Sequence, residues 1–223
     1  MGYTLAVSTT SKSPAADPSP DEPLRVGDHA ALDFLNSVFT PEDQPVDLLR
    51  DGPSLLKWLT TSGAVHPTVA DDAAAYSPQQ LNRVATEARA LREWFRELLF
   101  RWSVAGARGV RAADLEQLNS MLAKGRLQQT LVRGADGLEL RTERQIDAPS
   151  ALLAELASAC ADLLATHRAD QVRKCENPAC TLWFADTKRG PRRRWCSMAV
   201  CGNRMKVAAH RARQRADPGE PAS

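Results

Sequence analysis

The sequence predicts a mainly α protein: a helical N-terminal domain with a small β-hairpin, followed by a short C-terminal module organised by cysteines. Three observations predict it. Several segments place apolar residues at steps of three and four, the helical period. Two strand-like runs flank the turn sequence GADG. Four of the five cysteines fall between Cys175 and Cys201.

The helices follow in order. Residues 28–39 (DHAALDFLNSVF) read as a first helix, with Asp28 as N-cap and Ala31, Leu32, Phe34, Leu35, Val38 and Phe39 on its apolar face. Residues 53–62 read as a short second helix, with Pro53 in the first turn and Gly63 past its end. Residues 78–106 form the clearest helix, with Ser77 and Gln80 spaced as a capping box. Its apolar row runs Leu81, Val84, Ala88, Leu91, Phe95, Leu98, Leu99, Trp102. A helix over 112–124 stops at Gly125, and a hairpin joins strands at 127–133 and 138–145. A last amphipathic helix spans 149–167 and carries Cys160 on its apolar side, a core position. Trp58, Trp94, Phe95, Phe100 and Trp102 read as core aromatics rather than as the lining of a ligand pocket.

Hydrophobic residues at 43% and charged residues at 25% are ordinary for a soluble globular chain. No apolar run approaches the roughly 20 residues of a membrane-spanning helix. The first 23 residues lack the basic and apolar segments of a secretory signal, and they read as a disordered tail. A cytoplasmic location is therefore expected, where thiols stay reduced and clustered cysteines favour metal over disulfides.

The clustered cysteines are spaced Cys175-x4-Cys180 and Cys196-x4-Cys201, with fifteen residues between the pairs. Two close pairs across a short loop can converge on one tetrahedral zinc ion. Four thiolates leave no open coordination position, which makes the ion structural rather than catalytic. Gly190-Pro191 and the aromatics around them favour a hairpin linking the two pairs, and the segment beyond Cys196 reads as a helix. Knuckle, hairpin and helix in that order resemble a treble-clef zinc finger.

The string RRRWCSMAVCGNRMKVAAHRAR resembles the CGNR zinc-finger family, with Cys201-Gly202-Asn203-Arg204 as the naming motif. LWFAD and the Trp195-Cys196 pair are also similar to that pattern, and HAALDFLNS resembles the start of the ABATE domain that precedes the finger in this family. Ser37 stands where family members usually have Thr. The resemblance spans most of residues 24–215. It implies a domain order of 24–168 for the ABATE-like part and 169–215 for the finger, with residues 216–223 as a disordered tail. The family's description as stress-induced transcription regulators is an inference about the group, and it implies DNA binding.

Charge supports the same division. From Arg168 to Arg215 there are 13 Lys or Arg against 3 acids, whereas the remainder carries 16 basic and 24 acidic residues. Lys188, Arg189, Arg192, Arg193 and Arg194 cluster before the second cysteine pair, and Arg204, Lys206, Arg211, Arg213 and Arg215 follow on the expected terminal helix. About five to seven phosphate contacts from this set would give a salt slope of roughly −4.5 to −6. A solvated basic surface is the plainer reading of such a run. Asn203 and Arg204 also suit structural roles beside the metal, and Val207 and Ala208 are expected to face the body of the module.

In the N-terminal domain, Asp33 and Asn36 stand three apart and share a helical face, open to a small effector or to structural bonds. His29, His66 and His167 are scattered, and no phosphate loop, dinucleotide motif or catalytic triad is evident. The sequence is thus read as a non-enzymatic regulator that binds DNA and zinc, with an effector-sensing or association domain and a homodimer as a natural arrangement. A helical-domain enzyme and an RNA- or protein-binding adaptor, using Trp183 or Trp195, are the competing readings.

Overall fold

A computed structural model describes residues 22–40, 44–63, 73, 75–187 and 192–216. The N-terminal tail, the tail beyond 216, His66, Lys188, Arg189 and Gly190-Pro191 lie outside the described residues, apart from positions 22, 23 and 216.

The first helix, α1 (Ala30–Leu35), is shorter than expected. Its N-cap is His29, whose Nδ1 accepts from the Ala31 N–H at 3.1 Å, not Asp28, which sits in the left-handed region at φ 57°. The helix stops because Ser37 turns the chain: its hydroxyl donates to the Phe34 carbonyl at 2.7 Å, and its own carbonyl accepts from Leu48 N–H. Val38 and Phe39, expected in the helix, instead form strand β1 (Val38–Phe39), antiparallel to β2 (Val46–Asp47).

Helix α2 (Gly52–Ser62) starts on Asp51, whose carboxylate accepts from Ser54 N–H at 2.8 Å, and ends on Gly63 at φ 71°. Helix α3 (Pro78–Ala105) carries the expected Ser77–Gln80 capping box and buries the whole apolar row from Leu81 to Trp102. Helix α4 (Ala112–Leu122) is held to α3 by the Asp114 carboxylate, which accepts from Arg101 at 2.7 Å and from Arg111 N–H at 2.8 Å. Strands β3 (Arg126–Gly134) and β4 (Gly137–Gln145) pair in register from Arg126↔Gln145 to Gly134↔Gly137 across a two-residue turn. Helix α5 (Ala151–Thr166) buries Leu152, Leu153, Leu156, Cys160 and Leu163.

These helices enclose one core around Phe34, Trp58, Phe95 and Leu152. Arg92 is 3% exposed at its edge. Its guanidinium donates to both Asp47 oxygens at 2.8 and 2.7 Å and to the Ser37 hydroxyl at 2.9 Å, so a buried charge locks the small β1–β2 ribbon against α3. Of the expected core aromatics, Trp58, Phe95 and Trp102 are buried, but Phe100 is 61% exposed.

The C-terminal module consists of β5 (Val172–Lys174), β6 (Trp183–Ala185), a π turn at Met198–Gly202 and α6 (Asn203–Ala216). Strands β5 and β6 are antiparallel and bracket the first cysteine pair. The hairpin therefore carries the first pair in its turn instead of linking the two pairs. Chain packing explains this: successive β6 side chains point to opposite faces, with Trp183 and Ala185 in the helical core and Phe184 among the cysteines. Among the described residues, no helix is long and apolar enough to cross a membrane.

Candidate metal centre and nucleic-acid face

The four clustered cysteines come from two stretches of chain. Cys175 follows β5, and its N–H donates to Leu182 O at 2.9 Å. Cys180 closes the turn, with its N–H donating to Asn177 O at 2.9 Å. Cys196 precedes the π turn, and Cys201 lies within it. All four Sγ atoms lie within 4.8 Å of one another. Cys196 Sγ is 3.7 Å from Cys180 Sγ and 3.6 Å from Cys201 Sγ. Zinc–thiolate bonds of roughly 2.3 Å at a tetrahedral angle put sulfurs about 3.8 Å apart. The donor set and its spacing therefore fit zinc.

The surroundings fit as well. Cys175, Cys196 and Cys201 are buried and Cys180 is half-buried. Two sulfurs receive outer hydrogen bonds: Cys196 N–H donates to Cys175 Sγ, and Asn177 Nδ2 donates to Cys201 Sγ, both at 3.4 Å. Without a cation the four groups conflict. The hydrogen bond from Cys196 pulls the Cys180 thiol down to about 5, while the same bond, burial and neighbouring thiolates push the Cys196 thiol well up. A bound dication removes that conflict, because it favours all four thiolates together.

Asn177 is a site residue the sequence reading missed. It is 3% exposed, and its Oδ1 accepts from Ala179 N–H at 3.2 Å while its amide bonds Cys201. The Asn-Pro pair inside the first knuckle was the available signal, since Asn bonds its own backbone two residues on. Asn203, considered for that part, is exposed. Gly202 of the motif packs closely: a Cβ there would collide with Met198 Sδ and come within 3.1 Å of Trp195 Cδ1.

The basic residues divide into two groups. Arg193 is engaged inside the protein. Its guanidinium donates to Trp195 O at 2.9 Å, to Val26 O at 3.1 Å, to Cys196 O and to the Asp28 carboxylate, and it lies 4.3 Å over the Phe184 ring. It corrects its expected place in the nucleic-acid set, because those bonds clamp the metal centre to the segment before α1. Arg194 pairs with Glu176 at 2.6 Å and lies over Trp195, and Arg192 lies 3.7 Å from Asp170. Arg204, Lys206, Arg211 and Arg213 are exposed on α6 and have no ion-pair partner among the described residues. Arg215 continues the same helix. Val207 and Ala208 are exposed too, so they do not face the body of the module as expected. Helix α6 projects with only Met205 of its described side chains half-buried.

Asp33 and Asn36 meet the finger, not an open pocket. Asn36 is 1% exposed; its Nδ2 donates to Trp183 O at 2.8 Å and its Oδ1 accepts from Trp183 N–H at 2.9 Å. The amide is buried and bonded at both ends to Trp183, so it does not face an open pocket. Asp33 Oδ1 accepts from Gly27 N–H at 2.9 Å, and Gly27 O accepts from Ala185 N–H at 2.8 Å. Burial pushes the Asp33 carboxyl up to about 6 despite the Gly27 hydrogen bond. The two residues thus join α1 to β6. His29 and His167, read as scattered, stack edge to face with centroids 5.0 Å apart, and His29 Nε2 lies 3.0 Å from Asp162. Trp183 is buried in the helical core and unavailable for base stacking.

Fold and centre together define a mainly helical protein that ends in a treble-clef-like finger around one structural zinc ion. Residues 28–167 match the model of the ABATE family, described as "Putative stress-induced transcription regulator", and residues 171–214 match the CGNR zinc finger. The first match covers more than half of the 223 residues, and the chain belongs to this family. No curated protein matches it.

Proposed function

We propose that the chain is a DNA-binding transcription regulator of the cytoplasm whose contact element is α6. One observation carries this reading: α6 has no acidic residue, and its four described cations are exposed with no ion-pair partner among the described residues. Fourteen residues at 1.5 Å each give a rod of about 21 Å, of a diameter that a major groove admits. Arg204 and Arg211 stand two turns apart on one side, and Lys206 and Arg213 stand on the opposite side. A helix basic on both sides suits a groove walled by phosphates on both strands. The zinc ion fixes the start of that helix through Cys196 and Cys201. Arg192 and Arg194 would add phosphate contacts, and Lys188 and Arg189, outside the described residues, are proposed for the same set; Arg193 would instead hold the finger in place.

The helical domain has the sensing or association role in this reading. Asp33 and Asn36 couple the two parts rather than hold an effector, so any ligand that alters α1 would act on the finger through Trp183. A difference in affinity for two arrangements of that join is what such an effector requires.

The test is duplex binding by the zinc-loaded full chain, followed by anisotropy over a salt series. Four to six phosphate contacts give a slope of about −3.6 to −5.4. Arg204→Ala with Arg211→Ala should flatten it by about 1.8 while zinc content stays the same. Equal slopes for the two proteins would remove α6 from the interface.

A further inference from the structure

The β3–β4 ribbon is the least explained part of the fold. Its strands are nine residues each, about 30 Å long, and they pair with each other while packing little against the rest of the chain. Two-stranded ribbons are marginal alone in water. The register sorts its side chains by face. Leu131 is directly opposite Leu140, Leu138 is opposite Arg133, and Leu127 stands four residues from Leu131 on the same strand, so all four leucines share one face. They are 62% to 70% exposed. The opposite face carries Gln128, Thr130, Val132, Glu139 and Arg141, and Gln129 and Thr142 stand among the leucines. A ribbon with four leucines of one face in solvent has a missing partner.

Further apolar side chains are exposed on the helices. Phe100 and Val104 are 61% and 76% exposed and share a face of α3 with Glu97 by steps of three and four. Leu115 of α4 is 51% exposed, beside the Asp114 that bonds Arg101 of α3. Glu97 has no ion-pair partner among the described residues, and neither has Arg133, which stands on the leucine face of the ribbon.

We propose that these two surfaces belong to one interface between two copies of this chain, in which the ribbon of each copy lies across the α3–α4 face of the other. Area decides for this reciprocal arrangement. Four leucines at this exposure offer roughly 400 Å² per copy, so stacking ribbon on ribbon buries only about 800 Å² in all, the size of an unspecific contact. Adding Phe100, Val104 and Leu115 brings each copy to about 700 Å², close to the roughly 800 Å² per partner of a stable interface. Charge agrees: Arg133 rims the leucine face and Glu97 rims the helical one, so the reciprocal contact pairs opposite signs twice. The interface lies on the helical domain and stands independently of DNA binding by α6. It would present two fingers related by a two-fold axis.

The test is sedimentation of the zinc-loaded full chain across a concentration series. The expected result is a species of twice the 24.4 kDa chain mass. Leu131→Glu with Leu140→Glu, and separately Phe100→Glu, should each yield monomers with unchanged zinc content and helical signal. Glu97→Arg or Arg133→Glu alone should weaken dimerisation roughly tenfold, and the two together should restore it; as exposed charge changes, these keep the test valid if an apolar variant fails to fold. A wild-type monomer up to the highest soluble concentration overturns the proposal, and so does a dimer indifferent to the ribbon leucines. Loss of the dimer in the leucine variant but not in Phe100→Glu overturns the reciprocal arrangement.

Discussion

Replacing Asn36 by Ala should detach the finger from the helical domain more effectively than any change to a surface charge. The side chain makes two hydrogen bonds, at 2.8 and 2.9 Å, to the backbone of a single residue, Trp183. Both partners are buried, with Asn36 at 1% and Trp183 at 5% exposure. Each lost bond is worth about 0.5 to 1.5 kcal/mol, and the Trp183 N–H and C=O left behind add the cost of unpaired buried groups. The sum is about 2 to 4 kcal/mol. With a urea slope of about 2 to 3 kcal/mol per molar, the unfolding midpoint should fall by roughly 1 M. Tryptophan fluorescence and far-UV circular dichroism, followed together at constant zinc, read the change. Asn36→Asp should be at least as damaging, because a carboxylate cannot donate to the Trp183 carbonyl. A midpoint shift below about 0.3 M for Asn36→Ala would refute the claim that this amide holds the two parts together.

Three further outcomes follow from the same geometry. Cys196→Ser should take zinc from one per chain to none by elemental analysis; because Val172, Trp183 and Ala185 sit in the helical core, the helices should also melt earlier, and an unchanged midpoint for the helical signal would show that the shared core contributes nothing. Arg193→Ala should cost about 2 to 4 kcal/mol through lost charge-assisted bonds to Val26, Trp195 and Cys196 carbonyls, while the salt slope of DNA binding at constant folding stays the same; a flattened slope would return Arg193 to the phosphate contacts. The Asp33 carboxyl is raised from 3.8 to about 6 by burial, so its contribution is fully present below pH 4 and is lost as pH rises through 6, by up to about 3 kcal/mol. Asp47, Glu93 and Asp114 are held below their ordinary values and act in the opposite sense, as pH falls below 4. Urea midpoints of Asp33→Asn and the parent at pH 4.5 and 7 isolate the effect, since acid release of zinc affects both; equal pH dependence in the two would exclude it.

Local pattern carried much of the fold. The apolar row of α3, its Ser77–Gln80 box and the cysteine spacing are all short-range features, and the structure keeps each of them. Val38 and Phe39 continue a helical apolar spacing, so local pattern alone over-extends the first helix; a long-range ladder with Val46 and Asp47 takes them instead. The same kind of contact hid the roles of Asn36 and Arg193. Asn36 looks like a helix-surface polar residue until β6, 147 positions later, is laid beside it. Arg193 is one of three consecutive arginines, and nothing in that run says which of them lies over Phe184. Likewise the division of the chain near residue 168 reflects composition, whereas the side chains of β6 are shared between the core and the metal centre.

The central claim is that a zinc-ordered basic helix makes this protein a reader of DNA. Selection from a random duplex pool by the zinc-loaded full chain, at low and at physiological salt with sequencing of what is retained, addresses it most directly. The account predicts enrichment of a short motif, retention that falls steeply with salt, and loss of both when zinc is removed. Retention that ignores salt, or none at all with zinc confirmed in place, would contradict it.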